Sequence, residues 1–540
     1  MTMKKFNVLM LVLAMILVLL AGCSGNNAPA NSEASDAGKK ESADDASTTN
    51  ATATNGDSAP VERTERDIFF FHQLVQLTGD LPIFKKAAEV TGVVLNNVAP
   101  AGGDEKQAWN LLLASGELPD IINYYINDLN AIGIQKALIP LDDLIAEHAP
   151  HFKKFLDEHP DIVNAITASD GQIYVVPWVA DGEAQEGWFI RQDWLDKLKL
   201  EVPTTVDEYY KVLKAFREQD PNGNGLKDEV PYFHRNTGNG HARLFPFWDA
   251  YHDFYVRDGK IVYGPNEPEY RTALTELAKW YKEGLIDQEI FTRGTNSRDV
   301  LFSNNTGGSL HDWFASTSKY NPSMEEKVPG FNLQPIAPPA SVSGRVYEVS
   351  KRRPITNLSQ NRGWSISASA KDPEKVMQYF DYWWSEEGRR LLNFGIEGET
   401  YTMVDGKPRF KDEVLSEPAL TDYLIKTTGA QLQIGGWQDF SYEEQFTNEI
   451  ALQGIRMYID NQYISNDYQL PPVTLTMEED KRINELFPQI KTYVDETAQK
   501  WYMGGESVEA NYDKYLERLG QLQIDEVLEI YNAAYQRYLN

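Results

Sequence analysis

The fold is decided by residues 67–98, which read DIFFFHQLVQLTGDLPIFKKAAEVTGVVLNNV. The apolar run at 68–71 predicts a buried first strand, and residues 81–91 predict a helix that stops at Gly92. Residues 93–98 then predict a second strand. A strand, a helix and a strand within about 30 residues make one parallel unit of an α/β sheet.

The same alternation continues along the chain. We expect a helix at 106–114, a strand at 118–124, a helix at 141–145 and a further strand at 171–178. This pattern predicts an α/β fold with mainly parallel, doubly wound sheets that carry helices on both faces. Pro177 breaks the last of these strands, which favours a crossing between two lobes at that point.

The first residues predict that the chain is exported. Lys4 and Lys5 precede an apolar run at 8–20, and small residues lead to Cys23. That order is typical of a secretory signal and its cleavage site. The apolar run is shorter than the ~20 residues that cross a bilayer. We therefore expect residues 1–22 to be a signal peptide.

The cleavage site carries a second message. Residues 20–23, LAGC, resemble the lipobox of bacterial lipoproteins, which implies that Cys23 is lipidated and holds the chain on the outer face of the cytoplasmic membrane, as in Gram-positive bacteria. Acylation by two or three chains, as palmitate-type lipid, anchors a protein firmly. Because Cys23 is the sole cysteine of the 540 residues, disulfides, cysteine-bound zinc and thiol catalysis are excluded.

Residues 23–65 are expected to be the lipidated cysteine and a flexible tether. They are rich in Ser, Ala, Asn, Asp and Thr and contain almost no large apolar residue. A flexible chain of this length reaches roughly 35 Å. The tether would therefore lift a folded body clear of the lipid headgroups.

Charge and composition exclude one class of partner. The formal net charge is −29, so nucleic acid is not an expected partner. The chain is 42% hydrophobic and contains 28 Tyr, 23 Phe and 12 Trp, which is enough apolar material for two lobes of ordinary size. Trp280, Trp383 and Trp384 lie at helical spacing with other apolar residues and are expected in the core.

Residues 220–229, DPNGNGLKDE, match the beginning of an EF-hand calcium loop. Oxygen-bearing side chains occupy loop positions 1, 3, 5 and 9, glycine occupies position 6, and position 7 offers a backbone carbonyl. Position 12 is Pro231 in place of glutamate, so Asp228 or Glu229 must supply that charge. The alternative is a glycine-rich turn with solvated acids. The predicted ligands of a structural Ca²⁺ are Asp220, Asn222, Asn224, Leu226, Asp228 and Glu229.

Five further segments carry a family resemblance. They are ASGELPDI at 114–121, GQIYVVP at 171–177, RQDWLDKL at 191–198, GIEGETY at 395–401 and IYNAAYQRY at 530–538. In this order they resemble the large-lobed extracellular solute-binding lipoproteins of ABC sugar importers, in particular the LplA-like and alginate-oligosaccharide-binding proteins. That subgroup has a similarly shortened calcium loop.

The resemblance implies a class II periplasmic-binding-protein-like fold, in which two α/β lobes are joined by a hinge and close on a ligand. The first lobe is expected at 66–176 plus 338–393, and the second at 177–337 plus 394–540. It further implies a monomer that captures an oligosaccharide and passes it to an ABC permease in the membrane.

Ligand residues are expected where strands end at the cleft, because ligands of open α/β sheets bind at the carboxyl ends of strands. Aromatic platforms and polar groups suit sugars. The predicted ligand-binding residues are Trp178, Trp313, Glu397, Tyr401, His72, Tyr124, Arg191 and Trp437.

Basic residues leave the charge of the ligand open. They could form a cationic site for uronic acids, but neutral oligosaccharides are expected equally. These residues are Arg191, Arg243, Arg345, Lys351, Arg352, Arg353 and Arg362.

Two other functions remain as alternatives. Paired acids among the 80 Asp and Glu could serve a glycoside hydrolase, but no Gly-x-Ser-x-Gly, His-Glu-x-x-His or P-loop motif is present, and we expect no enzymatic activity. A ligand-presenting or peptide-binding lipoprotein for a sensor or a peptide importer would have much the same sequence.

Overall fold

A computed structural model describes residues 62–180, 184–235, 240–347, 361–417, 419–465 and 469–539. The predicted signal peptide, the lipidation site Cys23 and most of the predicted tether lie outside these residues. Within them, every helix is too short or too polar to cross a membrane.

Fourteen strands are present in the described residues. In chain order they are β1 (Thr64–Phe69), β2 (Val93–Asn97), β3 (Ile121–Tyr125), β4 (Val176–Ala180), β5 (Glu186–Arg191), β6 (Val230–Phe233), β7 (Phe254–Arg257), β8 (Lys260–Tyr263), β9 (Gly307–Trp313), β10 (Leu333–Ile336), β11 (Arg362–Ile366), β12 (Tyr401–Val404), β13 (Lys407–Phe410) and β14 (Gly436–Gln438).

Helices separate most of these strands. They are α1 (Pro82–Thr91), α2 (Glu105–Ser115), α3 (Ile126–Ile134), α4 (Asp142–His148), α5 (Pro150–Glu158), α6 (Pro160–Ile166), α7 (Gln192–Leu198), α8 (Val206–Glu218), α9 (Pro268–Lys282), α10 (Ser297–Ser303), α11 (Phe314–Ser318), α12 (Tyr320–Met324), α13 (Pro373–Tyr382), α14 (Glu386–Phe394), α15 (Asp412–Leu415), α16 (Leu420–Thr428), α17 (Phe440–Glu444), α18 (Glu449–Asp460), α19 (Met477–Tyr502), α20 (Val508–Gln521) and α21 (Ile524–Leu539). Two 3₁₀-helices span Gly240–Trp248 and Gly264–Asn266.

The opening βαβ unit forms as predicted. Proline at the start of α1 fits a first turn that needs no N–H, and Gly92 ends the helix in the left-handed conformation at φ 73°. β1 then pairs with β2 in parallel. Leu81 precedes the helix without a side-chain cap, so proline and glycine alone mark its ends.

Two sheets define two lobes. A six-stranded sheet has the order β14-β4-β11-β3-β1-β2, and a four-stranded sheet has the order β10-β5-β9-β6. β11 is antiparallel to β3 and β4, and β5 is antiparallel to β9 and β10. β5 follows β4 and β11 follows β10, each from the other sheet. A strand that enters from the other lobe starts at the edge where its neighbours end, which is why these two run in reverse.

The cores of the lobes correct the predicted boundaries. The first core draws on residues 68–179 and 364–442, and the second draws on 184–336 and 451–535. The last crossing therefore falls after Phe446, which packs on the first core, and not at residue 393. The cause is β14, which adds to the edge of the first sheet beside β4 and keeps the preceding chain in the first lobe.

The first crossing also moves. β4 continues beyond Pro177 to Ala180, and Pro177 pairs with Gly363 inside the first sheet. The predicted core tryptophans are confirmed, since Trp280, Trp383 and Trp384 are all at most 5% exposed.

Candidate ligand cleft and calcium loop

All three described crossings connect the same two sheet edges. β4 ends at Ala180, on the edge where the parallel strands of the first sheet end. β5 begins at Glu186, which pairs with Trp313 at the end of β9. Residues 181–185 join these strands, and a chain of that length spans at most about 20 Å. The two edges are therefore neighbours.

The other crossings obey the same rule. β10 ends at Ile336, and β11 begins at Arg362 beside the last residue of β3. β14 ends at Gln438, and α18 packs on the second lobe. The ends of strands in both lobes consequently bound one cleft, which is where an open α/β fold binds its ligand.

Trp313 dominates the second-lobe edge of the cleft. Its ring is 39% exposed, an unusual position for the largest apolar side chain. The indole Nε1 donates to the Glu186 carboxylate, and the Arg235 guanidinium lies 4.4 Å from the ring centroid. The ring is therefore held in place while much of it faces solvent.

Charged groups surround this ring. Arg235 Nε lies 2.7 Å from Asp312 Oδ1, and Arg298 Nη1 lies 3.3 Å from Asp312 Oδ2. Arg243 Nη2 donates to Glu186 Oε2 over 3.0 Å. Burial raises the pKa of Asp312, and the two arginines that share it act in the opposite direction.

The first-lobe edge carries a second arginine on a second aromatic ring. Arg362 Nη2 donates to both carboxylate oxygens of Glu105, at 2.5 and 2.6 Å, and its guanidinium lies 4.4 Å from the Tyr125 ring centroid. His72 accepts a hydrogen bond at Nδ1 from the backbone of Leu74 over 3.2 Å. Burial, and then the charge of Arg362, lower the pKa of His72.

Two predicted tryptophans are half-buried in the first lobe. Trp178 lies in β4 and pairs with Gly436 of β14. Trp437 lies in β14, where the Arg389 guanidinium is 3.9 Å from its ring centroid and Phe155 packs at 5.0 Å. A ligand contact by either ring stays a prediction.

Three predicted ligand residues lie inside a lobe. Tyr124 is 4% exposed and stacks on Trp109 at 4.1 Å, because β3 is covered on both faces and only its last residue, Tyr125, reaches the edge. Tyr401 is buried against Phe394. Glu397, four residues earlier, is exposed in the loop before β12.

Arg191 is the third. It is fully buried, and its guanidinium bonds to Asp193 and to Asn305 Oδ1, the latter over 2.7 Å. Trp194 and Phe331 lie 4.6 and 4.3 Å from it. Its charge is satisfied within the second lobe, which leaves no surface for a ligand, so we withdraw it together with the two tyrosines.

Sequence reasoning missed several residues of the cleft edge. Glu186 opens β5 and Arg235 lies two residues beyond β6, and neither strand had been predicted. Both strands are short and fully or mostly buried, so they lack the alternation that marks a half-exposed strand. Glu105 opens α2 and gave no local signal.

The predicted calcium loop connects α8 to β6. The Asp220 carboxylate accepts hydrogen bonds from the backbone N–H groups of Gly223, Asn224 and Gly225 over 2.9–3.0 Å. The side-chain amides of Asn222 and Asn224 donate to Asp228 over 3.0–3.1 Å. Amide N–H groups thus occupy the side of Asp228 where a cation would bind.

Glu229 closes the loop from beneath. It is 1% exposed, and neither carboxylate oxygen has a hydrogen-bond partner in the described chain. Burial raises its pKa, since an isolated charge is costly away from water. The described residues hold no three His, Cys, Asp or Glu side chains close enough to share a metal, so calcium would require these carboxylates to converge and the two amides to turn their oxygens inward. Six oxygen donors then fit a hard cation.

The fold and the cleft define a solute-binding protein, and the comparisons agree. The model of the bacterial extracellular solute-binding protein family matches residues 74–390. The chain belongs to this family, as the sequence landmarks had predicted.

Named relatives sharpen the comparison. The alginate-binding protein AlgQ2, solved without calcium ion, is 37% identical, and the match covers 88% of this chain and 98% of that one with a TM-score of 0.71. The fructooligosaccharide ABC transporter substrate-binding protein FusA of Streptococcus pneumoniae serotype 4 is 27% identical over 79% of this chain and 82% of its own. The polygalacturonan/rhamnogalacturonan-binding protein YtcQ of Bacillus subtilis is 23% identical over 99% of both chains.

A solved EF-hand mutant of FusA with fructo-nystose has the same fold, at 23% identity, a TM-score of 0.66 and coverage of 88% of this chain and 99% of that one. The predicted two-lobed fold is confirmed by these structures.

Proposed function

We propose that the protein captures an oligosaccharide between its lobes and delivers it to the permease of an ABC importer. The observation that carries this proposal is the exposed ring of Trp313 at the edge that the crossings connect. A fixed, partly exposed indole offers a flat apolar surface to the C–H face of a sugar, and polar groups beside it can bind hydroxyls.

The relatives support a carbohydrate. FusA, AlgQ2 and YtcQ are named for binding fructooligosaccharide, alginate and polygalacturonan or rhamnogalacturonan. Each of these ligands is built from sugar units, so a cleft suited to several sugars in a row is the simplest common property. All three are binding proteins, which supports our proposal that this chain releases its ligand unchanged.

The proposed place of action is the outer face of the cytoplasmic membrane. The family is extracellular. We base the anchor on the lipobox-like residues before Cys23, and the reach on the polar tether that follows. A tethered monomer could carry a bound ligand the short distance to a permease in the same membrane.

We also propose that the loop at 220–229 binds Ca²⁺ as a structural ion. Its support is the buried, unpartnered carboxylate of Glu229 beside an EF-hand-like set of oxygens. The ion would supply positive charge to three carboxylates. The loop leads directly into β6, and β6 leads to Arg235, so the loop sets where that strand begins.

A ligand screen tests the proposed function. The full chain in calcium-containing buffer is heated with neutral oligosaccharides, acidic oligosaccharides, amino acids or peptides. A true ligand at ~100-fold excess over its Kd should stabilise the protein by about 2.7 kcal/mol. Stabilisation by peptides alone would overturn the sugar assignment and favour the peptide-binding alternative. New reducing ends after incubation with a bound oligosaccharide would instead indicate a hydrolase.

A further inference from the structure

We propose that Arg235 binds a carboxylate of the ligand, so that the preferred ligand is an oligosaccharide containing uronic acid. This inference rests on the proposed function and adds the chemical class of the sugar. It assigns to Arg235 the role of a specificity-determining residue at the second-lobe edge of the cleft.

The hydrogen-bonding capacity of Arg235 is only partly used. Its Nε faces Asp312 Oδ1 at 2.7 Å, and its two terminal amino groups have no hydrogen-bond or ion-pair partner among the residues that the structure describes. The side chain is only 19% exposed. A guanidinium presents five N–H donors, and leaving such donors partly dehydrated and unpaired costs free energy. The arrangement is therefore incomplete without a further acceptor.

The charge balance points the same way. Asp312 is the carboxylate for both Arg235 and Arg298, so one negative charge faces two positive charges within this triad. Asp312 is 2% exposed, which means that the triad lies in a region of reduced dielectric screening. A ligand that brings one carboxylate would balance the triad, whereas a neutral sugar would not.

Trp313 places the sugar where this charge can be read. Arg235 covers one part of the indole at 4.4 Å, and the bond from Nε1 to Glu186 prevents the ring from swinging away. A sugar that packs on the exposed part of the ring lies beside the guanidinium. A planar carboxylate on that sugar could then accept two N–H groups at once, which is the geometry that arginine recognises best.

Other arginines considered from the sequence are less suited to this role. Arg362 is paired with both oxygens of Glu105, and Arg243 is paired with Glu186. Arg345 donates to Asp249. Each of these has a carboxylate that no second arginine in the described chain shares, so their charges are already balanced within the protein.

Isothermal titration calorimetry of the full chain, with calcium present, tests the proposal. The probes are the trimers of galacturonate, mannuronate and guluronate, the methyl ester of each trimer, and the neutral sugars galactotriose and kestose. Esterification removes the charge and keeps the sugar ring. We expect the best acidic trimer to bind at least about tenfold more tightly than its ester, since a charge-assisted hydrogen bond contributes about 1.5–3 kcal/mol.

The variant Arg235→Gln should lose most of this preference, with about a tenfold weaker affinity for the acid and less than a twofold change for the ester. Arg235→Lys should retain part of the preference. Arg409→Gln changes an exposed arginine on the β12–β13 hairpin and should leave all affinities unchanged. Unaltered melting temperatures would show that each variant is folded.

The outcomes separate the two proposals. Equal affinity for acid and ester, binding of neutral sugars alone, or an unchanged preference in Arg235→Gln would overturn the role of Arg235 while oligosaccharide binding stands. If none of these sugars binds and the broader ligand screen finds only peptides, the proposed function fails as well.

Discussion

The two edges of the cleft are built from the same parts and differ in how those parts are satisfied. On each edge an arginine lies 4.4 Å from the centroid of an aromatic ring and faces a carboxylate. On the first-lobe edge Glu105 takes two hydrogen bonds from Arg362. On the second-lobe edge one carboxylate serves two arginines. The first arrangement is complete in the protein alone, and the second leaves donors for a ligand.

The lobes differ in their interiors in the same sense. The second lobe contains the proposed calcium loop and a buried histidine, His241, with neither ring nitrogen hydrogen-bonded within the described chain. Polar groups left without partners lower stability unless an ion, a proton or a ligand compensates. We therefore expect the second lobe to respond to its solution conditions more strongly than the first.

The largest effect should come from calcium removal. With calcium ~1,000-fold above its Kd, binding would contribute about 4 kcal/mol to the stability of the second lobe. Calorimetric melting with and without EGTA should therefore show a lower melting temperature for the second-lobe transition, with little change for the first. Glu229→Gln should abolish the calcium response, and Asp258→Asn, in the exposed turn between β7 and β8, should preserve it. A melting curve unchanged by exhaustive chelation would contradict the calcium proposal.

Acid should then act on the second lobe through His241. Burial first, and the neighbouring His252 second, lower the pKa of His241 from 6.5 to about 3, while Asp495 opposes this shift and Lys491 adds to it. The rings around the histidine belong to Phe245, His252, Phe291 and Tyr502.

The folded state therefore stays unprotonated at a pH where the unfolded state takes up a proton. The contribution of His241 to stability is fully present above pH 6.5 and is lost as the pH falls toward 3, by up to about 1.4 kcal/mol per pH unit. Denaturant melts between pH 7 and 5 should show this decline, and His241→Phe should flatten it. An equal pH dependence in wild type and His241→Phe would remove the histidine as its cause.

Breaking the complete pair on the first-lobe edge should cost stability and leave specificity intact. Glu105→Gln removes the charge that faces Arg362, and both side chains are at most 20% exposed, so we expect a loss of about 2 kcal/mol. Glu386→Gln is the matched control, because Glu386 is 88% exposed in its pair with Arg390 and such pairs contribute little. Urea melts give the stability, and calorimetric titration gives the ratio of acid to ester affinity. A changed ratio in Glu105→Gln would show that both edges read charge.

The smallest expected effect concerns the aromatic platform. Trp313→Ala should weaken binding of the best oligosaccharide about tenfold, because ring stacking contributes about 1–1.5 kcal/mol. Trp313→Phe should restore much of the affinity, and Tyr125→Ala, whose ring is covered by Arg362, should have a smaller effect. Titration calorimetry measures all three variants. Equal losses at both positions would contradict the division of roles between the two edges.

Local patterns predicted the elements well where the signal lay within a few residues. α1 and β2 match their predicted spans closely because proline, glycine and an apolar run mark them. The parity of β3 could not be read, since four successive residues of this strand are buried and the choice between Tyr124 and Tyr125 depends on where the strand ends. The lobe boundary failed for a related reason, because β14 is three residues long and joins a strand more than 250 positions away.

The sequence by itself indicated export, a lipid anchor, a two-lobed α/β body and a calcium-type loop, since each depends on residues that are close together in the chain. Only the tertiary structure decided which aromatic ring is open and which arginine is incompletely paired. Arg235 meets Asp312 and Trp313, whereas Arg191 meets Asn305 and is fully buried. Exposure and charge balance are set by partners 70 to more than 100 residues away, so no local pattern could distinguish these two arginines.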